Sequence, residues 1–427
     1  MDLVNHSLRL HADPSRVVVR PFHIAWGGHG GPPNRTERLV AEVLAMDAVE
    51  ARNQLETVLK DFEARHWQTR RVFMTRYDQL EEMLGLDGAA IGDEKRQLIG
   101  AYFCHEYSYA AAALMNPSAV PHFDQSGMPA GSLRVLMSMR AVGEGHISSV
   151  AFREGIVTAE QQLKLAPEPP FATATDVFDR TEEEMPEGPV TVHRHRDSTL
   201  SGTVLFPITA AQSKGLEDMR LVRFEHPDES VEWIGTYTAY NGSQIQSELL
   251  RTRDFRAFDL VPMTGAAARN KGMALFPRQI DGQYMMIGRS DGENLFLLKS
   301  DELTHWEDGE KILVPEFPWE LVQIGNCGPP IELDEGWLLL THGVGAMRKY
   351  SIGAALLDKR DPSKVLGRTR VPLLAAKDQD REGYVPNVVY SCGAIRHGDQ
   401  LFLPYGIADS SIGFAFVPIA EMLAAMR

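Results

Sequence analysis

The stretch RVLMSMRAVGEGHISSVAFREG (134–155) decides the fold. An apolar run of strand length enters a turn of Gly and charged residues, and a second run of small and apolar residues leaves it. The same unit returns as WIGTYTAYNGSQIQSELLRTRDF (233–255), YMMIGRSDGENLFLLKSDELTHW (284–306), WLLLTHGVGAMRKYSIGAALLD (337–358) and LFLPYGIADSSIGFAFVP (401–418). Counted from Trp233, Tyr284, Trp337 and Leu401, the steps are 51, 53 and 64 residues. Periods of this size, with about four short strands per unit, are the signature of a β-propeller. Five copies therefore predict an all-β, five-bladed propeller. The gap between the first two copies is nearly twice the period, and the excess falls on Phe171–His195, a charged, Pro-containing stretch that reads as a long insertion. A propeller gathers loops from every blade at its axial mouth, so function should sit on residues scattered along the chain.

Residues ahead of the repeats read differently. From Arg35 to Leu84 Gly and Pro are nearly absent, and Leu39, Val43, Leu44, Val49, Leu55, Val58, Leu59 and Phe62 recur at helical steps. Two or more helices are expected there, and another over Asp93–Ala113. Residues 1–110 are thus expected to form a helical extension, packed as a cap on a propeller of residues 111–427.

Across 427 residues the net formal charge is −15, with 44% hydrophobic and 24% charged residues. Such a composition is that of a folded globular protein, not a disordered one. The acidic balance argues against nucleic acid or anionic membrane as partner, because that affinity comes from Lys and Arg meeting phosphates. Cys104, Cys327 and Cys392 are odd in number and widely spaced, which suits free thiols in a reducing compartment. No apolar segment has the length of a signal peptide core or a membrane span. A cytoplasmic location is expected.

Polar residues recur at the strand–turn junctions of the repeats. Lys214-Gly215-Leu216-Glu217-Asp218-Met219-Arg220 sets two carboxylates between cations ahead of an apolar strand, and Asn116-Pro117-Ser118 precedes the first unit in the same way. Arg140 and Glu144-Gly145-His146 follow in the first unit, Arg251 in the second, Lys271 and Arg289 around the third. His342, Arg348 and Tyr350 belong to the fourth and Asp409 to the fifth. Nucleophile-elbow, HExxH, EF-hand and Walker patterns are missing, so neither a metal nor a nucleotide is expected. An acid facing a set of cations suits protonation of a leaving oxygen while an anion is held nearby.

These segments resemble glycoside hydrolase family 130, the β-mannoside phosphorylase and β-mannosidase family, which folds as a five-bladed propeller. The resemblance rests on NPS (116–118), GLEDMR (215–220), TYTAYNG (236–242) and KGMALFP (271–277). It continues through GWLLLTHGV (336–344), YSIGAALLDKRDPSKVLGR (350–368), YVPNVVYSCG (384–393) and YGIAD (405–409). Met219 stands where the motif usually has Pro.

The resemblance implies that Asp218 is the general acid, reaching the glycosidic oxygen through the 3-hydroxyl of the sugar. It implies an inverting phosphorylase that cleaves a β-mannoside, of the β-1,2-mannobiose or mannooligosaccharide type, with inorganic phosphate to α-mannose 1-phosphate. Phosphate would be the co-substrate, with no other cofactor and no metal. Arg251, Lys271, Arg289, His342, Arg348 and Tyr350 would bind phosphate; Asn116, Ser118, Arg140, Tyr240 and Asp409 would bind sugar. Two alternatives stay open: an inverting β-1,2-mannosidase with Glu217 or another pocket Glu as base, and a carbohydrate-binding propeller without turnover. Helical additions of this kind also allow a homo-oligomer.

Overall fold

A computed structural model of the chain describes residues 4–22, 34–175 and 185–426. It is mostly β, with a group of helices near one end of the sequence.

Each of the five repeats forms the expected antiparallel hairpin. The pairs are Leu133–Val142 with Ser148–Val157, Val231–Tyr240 with Ile245–Thr252, Tyr284–Gly288 with Leu295–Ser300, Trp337–Val344 with Tyr350–Leu357, and Gln400–Ile407 with Ser411–Pro418. Further strands flank each hairpin, among them Ala113–Pro121 in the first sheet and Gly215–Glu225 in the second. Gly215 also bridges to Ser148, which merges these two meanders into one eleven-stranded sheet. Four-stranded and six-stranded sheets hold the third, fourth and fifth repeats.

Strand alternation turns the apolar residues of each sheet toward its neighbours. Phe152 and Leu136 of the first sheet meet Trp233 and Leu216 of the second, while Phe224 and Ile234 meet Met286 and Leu298 of the third. Ile287 meets Trp337 and Leu339 of the fourth, and Leu338 and Leu340 meet Leu401 and Val417 of the fifth. A further cluster joins Phe402 and Phe414 of the last sheet to Val135 and Met137 of the first. The backbone at residues 4–5 and 10–11 pairs with the outer strand of the fifth sheet, Val4 opposite Phe416 and Leu10 opposite Ile412.

Helices occupy Arg35–Ala45 (α1), Ala48–Phe62 (α2), Thr69–Leu84 (α3) and Asp93–Tyr102 (α4). Asn34 and Glu37 close a capping box on α1, the Asp47 side chain accepts from two amides of α2, and α3 stops at Gly85 with φ 61°. Val43, Tyr77, Leu80, Leu98 and Phe103 form their core.

The helix expected over Asp93–Ala113 ends at Tyr102. Cys104–Ser108 leaves as a strand paired with Val17–Pro21, and Ala113 already opens the first sheet. Helix propensity, highest for alanine, is still a weak prior, and pairing with a neighbouring strand overrides it. Of the insertion at Phe171–His195, Thr173–Ala174 and Val190–His193 are strands at the margins of the large sheet. Residues 176–184 of that insertion lie outside the described residues.

Candidate active site

Asp218 owes its position to a kink. The strand Gly215–Glu225 breaks register between Glu217 and Arg220, and Asp218 sits in the bulge with φ 55°. Ala113–Pro121 breaks register between Met115 and Ser118, with Asn116 at φ 51°. Asn and Asp tolerate the left-handed region better than other side-chain-bearing residues, and a bulge re-aims the side chain out of the pleat. The two kinks bring the Asn116 amide onto Asp218 Oδ1.

Around this pair the sheets contribute cations. Arg140 donates to Asp218 Oδ1 at 3.1 Å, to Glu217 Oε1 at 2.7 Å and to Ser148 Oγ at 2.9 Å. Lys271 Nζ reaches the other Glu217 oxygen at 2.8 Å. Arg220 is buried beneath, donating to the Asp218 carbonyl at 2.8 Å, Asn326 Oδ1 at 3.0 Å and the Tyr390 hydroxyl at 2.7 Å. Burial works to raise the Asp218 carboxyl, but the charges of Arg140, Arg220 and Lys271 and the Asn116 bond outweigh it. The carboxyl is held below its ordinary value and is ionised at neutral pH.

Asp409 responds in the opposite direction. Burial first, then the nearby Asp218 charge, lift its carboxyl to about 6, against the pull of Arg140 and Arg348. It too sits in left-handed backbone, at φ 47°.

His342 is not a cation at neutral pH. Burial, with the charges of Arg289 and Arg220, pushes its imidazole down to about 3. Nδ1 lies 3.1 Å from the Asn326 carbonyl, which can only accept, so the proton is on Nδ1 and Nε2 is an acceptor. The ring is packed against Gly325, where a Cβ would fall 2.2 Å from Cε1. Tyr350 stacks on the imidazole, with ring centroids 5.8 Å apart.

Asp218, Asn116, Arg140, Lys271, His342, Arg289, Arg348 and Asp409 are thus linked by contact or by charge. The Arg289 and Arg348 guanidinium groups and the Tyr350 hydroxyl have no hydrogen-bond or ion-pair partner among the described residues. Lys271 is less available, being paired with Glu217.

Three candidates fall elsewhere. Arg251 is opposite Ile234, two strands over and level with Val222, and grips Glu232 through two bonds of 2.8 Å. The Ser118 side chain is fully enclosed, and its Oγ accepts from the Leu221 amide at 3.1 Å, tying the first sheet to the second. Tyr240 donates its hydroxyl to the Gly242 carbonyl of its own turn at 2.9 Å. Each has the residue type a site needs but spends its polar atom on the scaffold.

Arg220, Asn326 and Tyr390 were missed as site residues. Asn326 also donates to the carbonyls of Gly272 and Ile287, so it fastens the third sheet to the fourth beneath the acid. The available signal was positional: Arg220 follows Asp218 by two residues, as Ser118 follows Asn116. Among the described residues no group of three or more His, Cys, Asp or Glu could hold a metal, and no helix is long and apolar enough to cross a membrane.

Repeated antiparallel sheets that share one polar centre place the chain among repeat-built β proteins whose site lies where the sheets meet. Residues 193–427 match the glycoside hydrolase family 130 model, described as β-1,4-mannooligosaccharide phosphorylase, and the chain belongs to that family. A 1,2-β-oligomannan phosphorylase of Thermoanaerobacter sp. is 39% identical over 155 residues, covering 36% of this chain and 52% of that protein. A β-1,2-mannobiose phosphorylase of Listeria innocua is 30% identical over 226 residues, covering 51% and 62%. The chain thus spans between half and two thirds of the length of these relatives. In structure, a β-1,2-mannobiose phosphorylase from Listeria innocua, in complex with β-1,2-mannobiose, aligns with TM-score 0.51 and 25% identity, over 74% of this chain and 92% of that one.

Proposed function

We propose that the chain is an inverting phosphorylase of β-mannosides, with β-1,2-mannobiose or a short β-1,2-mannooligosaccharide as substrate. Five meanders, each packed on the next and the last on the first, support a five-bladed propeller over residues 111–427, with residues 1–110 as a helical extension. The buried, unbridged thiols of Cys327 and Cys392 suit the cytoplasm. No metal or other cofactor enters the reading.

One observation carries the choice of phosphate over water. Arg289, with no side-chain partner among the described residues, acts on His342, as Arg348 does on Asp409, and both of these groups feel the charge of Asp218, whose neighbouring glutamate is already neutralised. Guanidinium groups favour tetrahedral oxyanions through paired, charge-assisted bonds, and the Nε2 acceptor suits the remaining P–OH of hydrogen phosphate. Glu217 is a poor base for water, because both its oxygens accept from cations. The mannosyl ring would lie over Asn116, Arg140 and Asp409. A phosphate oxygen attacks the anomeric carbon from the face opposite the leaving group, and the C1–O bond breaks as the new C1–O–P bond forms. The Asp218 proton passes through the 3-hydroxyl to the departing oxygen, leaving α-mannose 1-phosphate and a shortened sugar.

An ionised Asp218 must first gain that proton. Hydrogen phosphate bound beside it adds negative charge, and a like charge raises a carboxyl. Substrate anion and catalytic proton therefore arrive together.

Incubation with β-1,2-mannobiose, with and without phosphate, tests the reading. Mannose 1-phosphate and mannose in equal amounts, formed only with phosphate, are expected. Free mannose alone at a rate indifferent to phosphate would establish the hydrolase.

A further inference from the structure

Two hairpin turns in different sheets have the same backbone. In the first sheet Gly143 has φ −100° and ψ −164°, followed by Gly145 at φ 67° and His146 at φ 59°. In the fourth sheet Gly345 has φ −101° and ψ −163°, followed by Met347 at φ 55° and Arg348 at φ 54°. Gly143 N–H donates to the Ile147 carbonyl and Gly345 N–H to the Lys349 carbonyl, both at 3.0 Å. The registers agree, with Val142 facing Ser148 and Val344 facing Tyr350. His146 therefore holds in the first sheet the place that Arg348 holds in the fourth. The shorter turn of the fifth sheet repeats the theme, with Ala408 and Asp409 at φ 49° and 47°. Left-handed backbone at a residue with a side chain costs free energy, and His146 is exposed, so packing does not demand it there.

What His146 faces is informative. The Tyr384 hydroxyl lies 3.2 Å from its Nδ1, and the two rings are 6.0 Å apart. Tyr384 is 51% exposed. Its neighbours are fixed: Val385 N–H donates to the Ala408 carbonyl at 3.0 Å, and a Cβ on Gly383 would come within 2.5 Å of that same oxygen. On the other side, His146 is two residues from Ser148, whose hydroxyl supports Arg140. Tyr384 and His146 thus meet across the Asp409 turn, at the rim of the site and outside the contacts that surround Asp218.

We propose that His146 and Tyr384 form the subsite for the sugar that leaves. The half-exposed Tyr384 ring stacks on the C–H face of a pyranose, an amphipathic surface that suits an aromatic platform. His146 holds the phenol hydroxyl, sets the angle of the ring, and turns its Nε2 toward a sugar hydroxyl. The proposal rests on the phosphorylase reading and names the residues that hold the leaving mannose of its substrate.

The reverse reaction, from α-mannose 1-phosphate and mannose, separates the two sides of the site. Tyr384→Ala and His146→Ala should each raise the KM for mannose about tenfold while the KM for mannose 1-phosphate stays within about twofold. Tyr384→Phe, which keeps the ring and loses the hydroxyl, should shift the mannose KM by only about two- to threefold. An unchanged mannose KM in Tyr384→Ala, or equal rises for both substrates, overturns the assignment. Should Tyr384→Ala fail to fold, Tyr384→Phe and His146→Gln carry the comparison, and no rise in the mannose KM in either overturns it. Should the wild-type protein make no disaccharide, the phosphorylase reading itself fails. Calorimetric titration with β-1,2-mannobiose then decides the subsite: weaker binding by Tyr384→Ala supports it, and equal binding overturns it.

Discussion

Arg251 and Arg140 both hold a glutamate of the second sheet, Glu232 through two bonds of 2.8 Å and Glu217 through one of 2.7 Å. Written as residue types the two clusters are alike, each with an arginine, a glutamate and a further basic side chain: His226 beside Glu232, Lys271 beside Glu217. They differ in where the members come from. Arg251 and Glu232 sit on neighbouring strands of one hairpin, and their bond reinforces a pairing that the backbone already makes. Arg140 comes from the first repeat of the eleven-stranded sheet and Lys271 from the approach to the next sheet, so Glu217 gathers charges that no single hairpin could hold together. Beside Glu217 the backbone is kinked to present Asp218; beside Glu232 the strand is regular. A cation bound within its own hairpin belongs to the scaffold, whereas cations delivered from several repeats to one kinked strand make a centre.

Substitutions can break that contrast. The largest effect is expected for Asp218→Asn, with turnover down about 10²–10⁴-fold in a protein that remains folded by circular dichroism. Since the charged form of Asp218 is favoured on folding, its stabilisation is present above the ordinary carboxylate value and lost as pH falls through the lowered one. The melting temperature of the variant should therefore fall below wild type at neutral pH and approach it in acid. Retention of more than a tenth of the turnover would move the acid elsewhere.

Arg289→Ala comes next, with the KM for phosphate up about tenfold and that for the mannoside little changed in initial-rate measurements. An equal rise in both would remove Arg289 from the anion site. Asp409→Asn sharpens the comparison through pH. A carboxyl lifted from 3.8 to about 6 holds its proton longer folded than unfolded, so wild-type stability declines across that interval. The Asn variant should melt at the same temperature as wild type near the ordinary carboxylate value and higher at pH above about 6, while losing activity. The smallest effect on turnover belongs to Arg251→Ala. Turnover should stay within about twofold, while stability in urea unfolding falls by more than the ~1 kcal/mol of an exposed pair, because the buried Glu232 keeps only His226 as a charged partner. A tenfold loss of turnover there would erase the distinction between the two clusters.

The hairpins were legible because each repeat writes its own strand, turn and strand locally. Asp218, Asn116 and Asp409 stand out in the sequence as polar residues at strand–turn junctions, and the family motif implies their roles; the left-handed backbone each occupies shows only in the fold. Arg251 and Ser118 misled because residue type says nothing about which sheet supplies the partner. Tyr240 misled because its own turn takes up the hydroxyl. His342 reads as a cation in sequence and is neutral in the fold, since its burial and the guanidinium groups around it depend on sheets distant along the chain. Asn326 and Tyr390, which hold Arg220 under the acid, acquire their role only when the fourth and fifth sheets meet the second. The overrun at Tyr102 has the same origin, because Val17–Pro21, from far upstream, supplies the strand that ends the helix.

The pairing of residues 4–5 and 10–11 with Ser411–Pro418 also sets the order of assembly. Those partners are separated by about four hundred residues of chain, and contacts of such long sequence separation form slowly because a large loop must close first. During synthesis the early segment waits, unpaired, until the final hairpin emerges. That hairpin carries Asp409 in its turn and supplies the backbone that fixes Tyr384. The first four repeats can therefore form while the side of the site that Asp409 supplies is still missing.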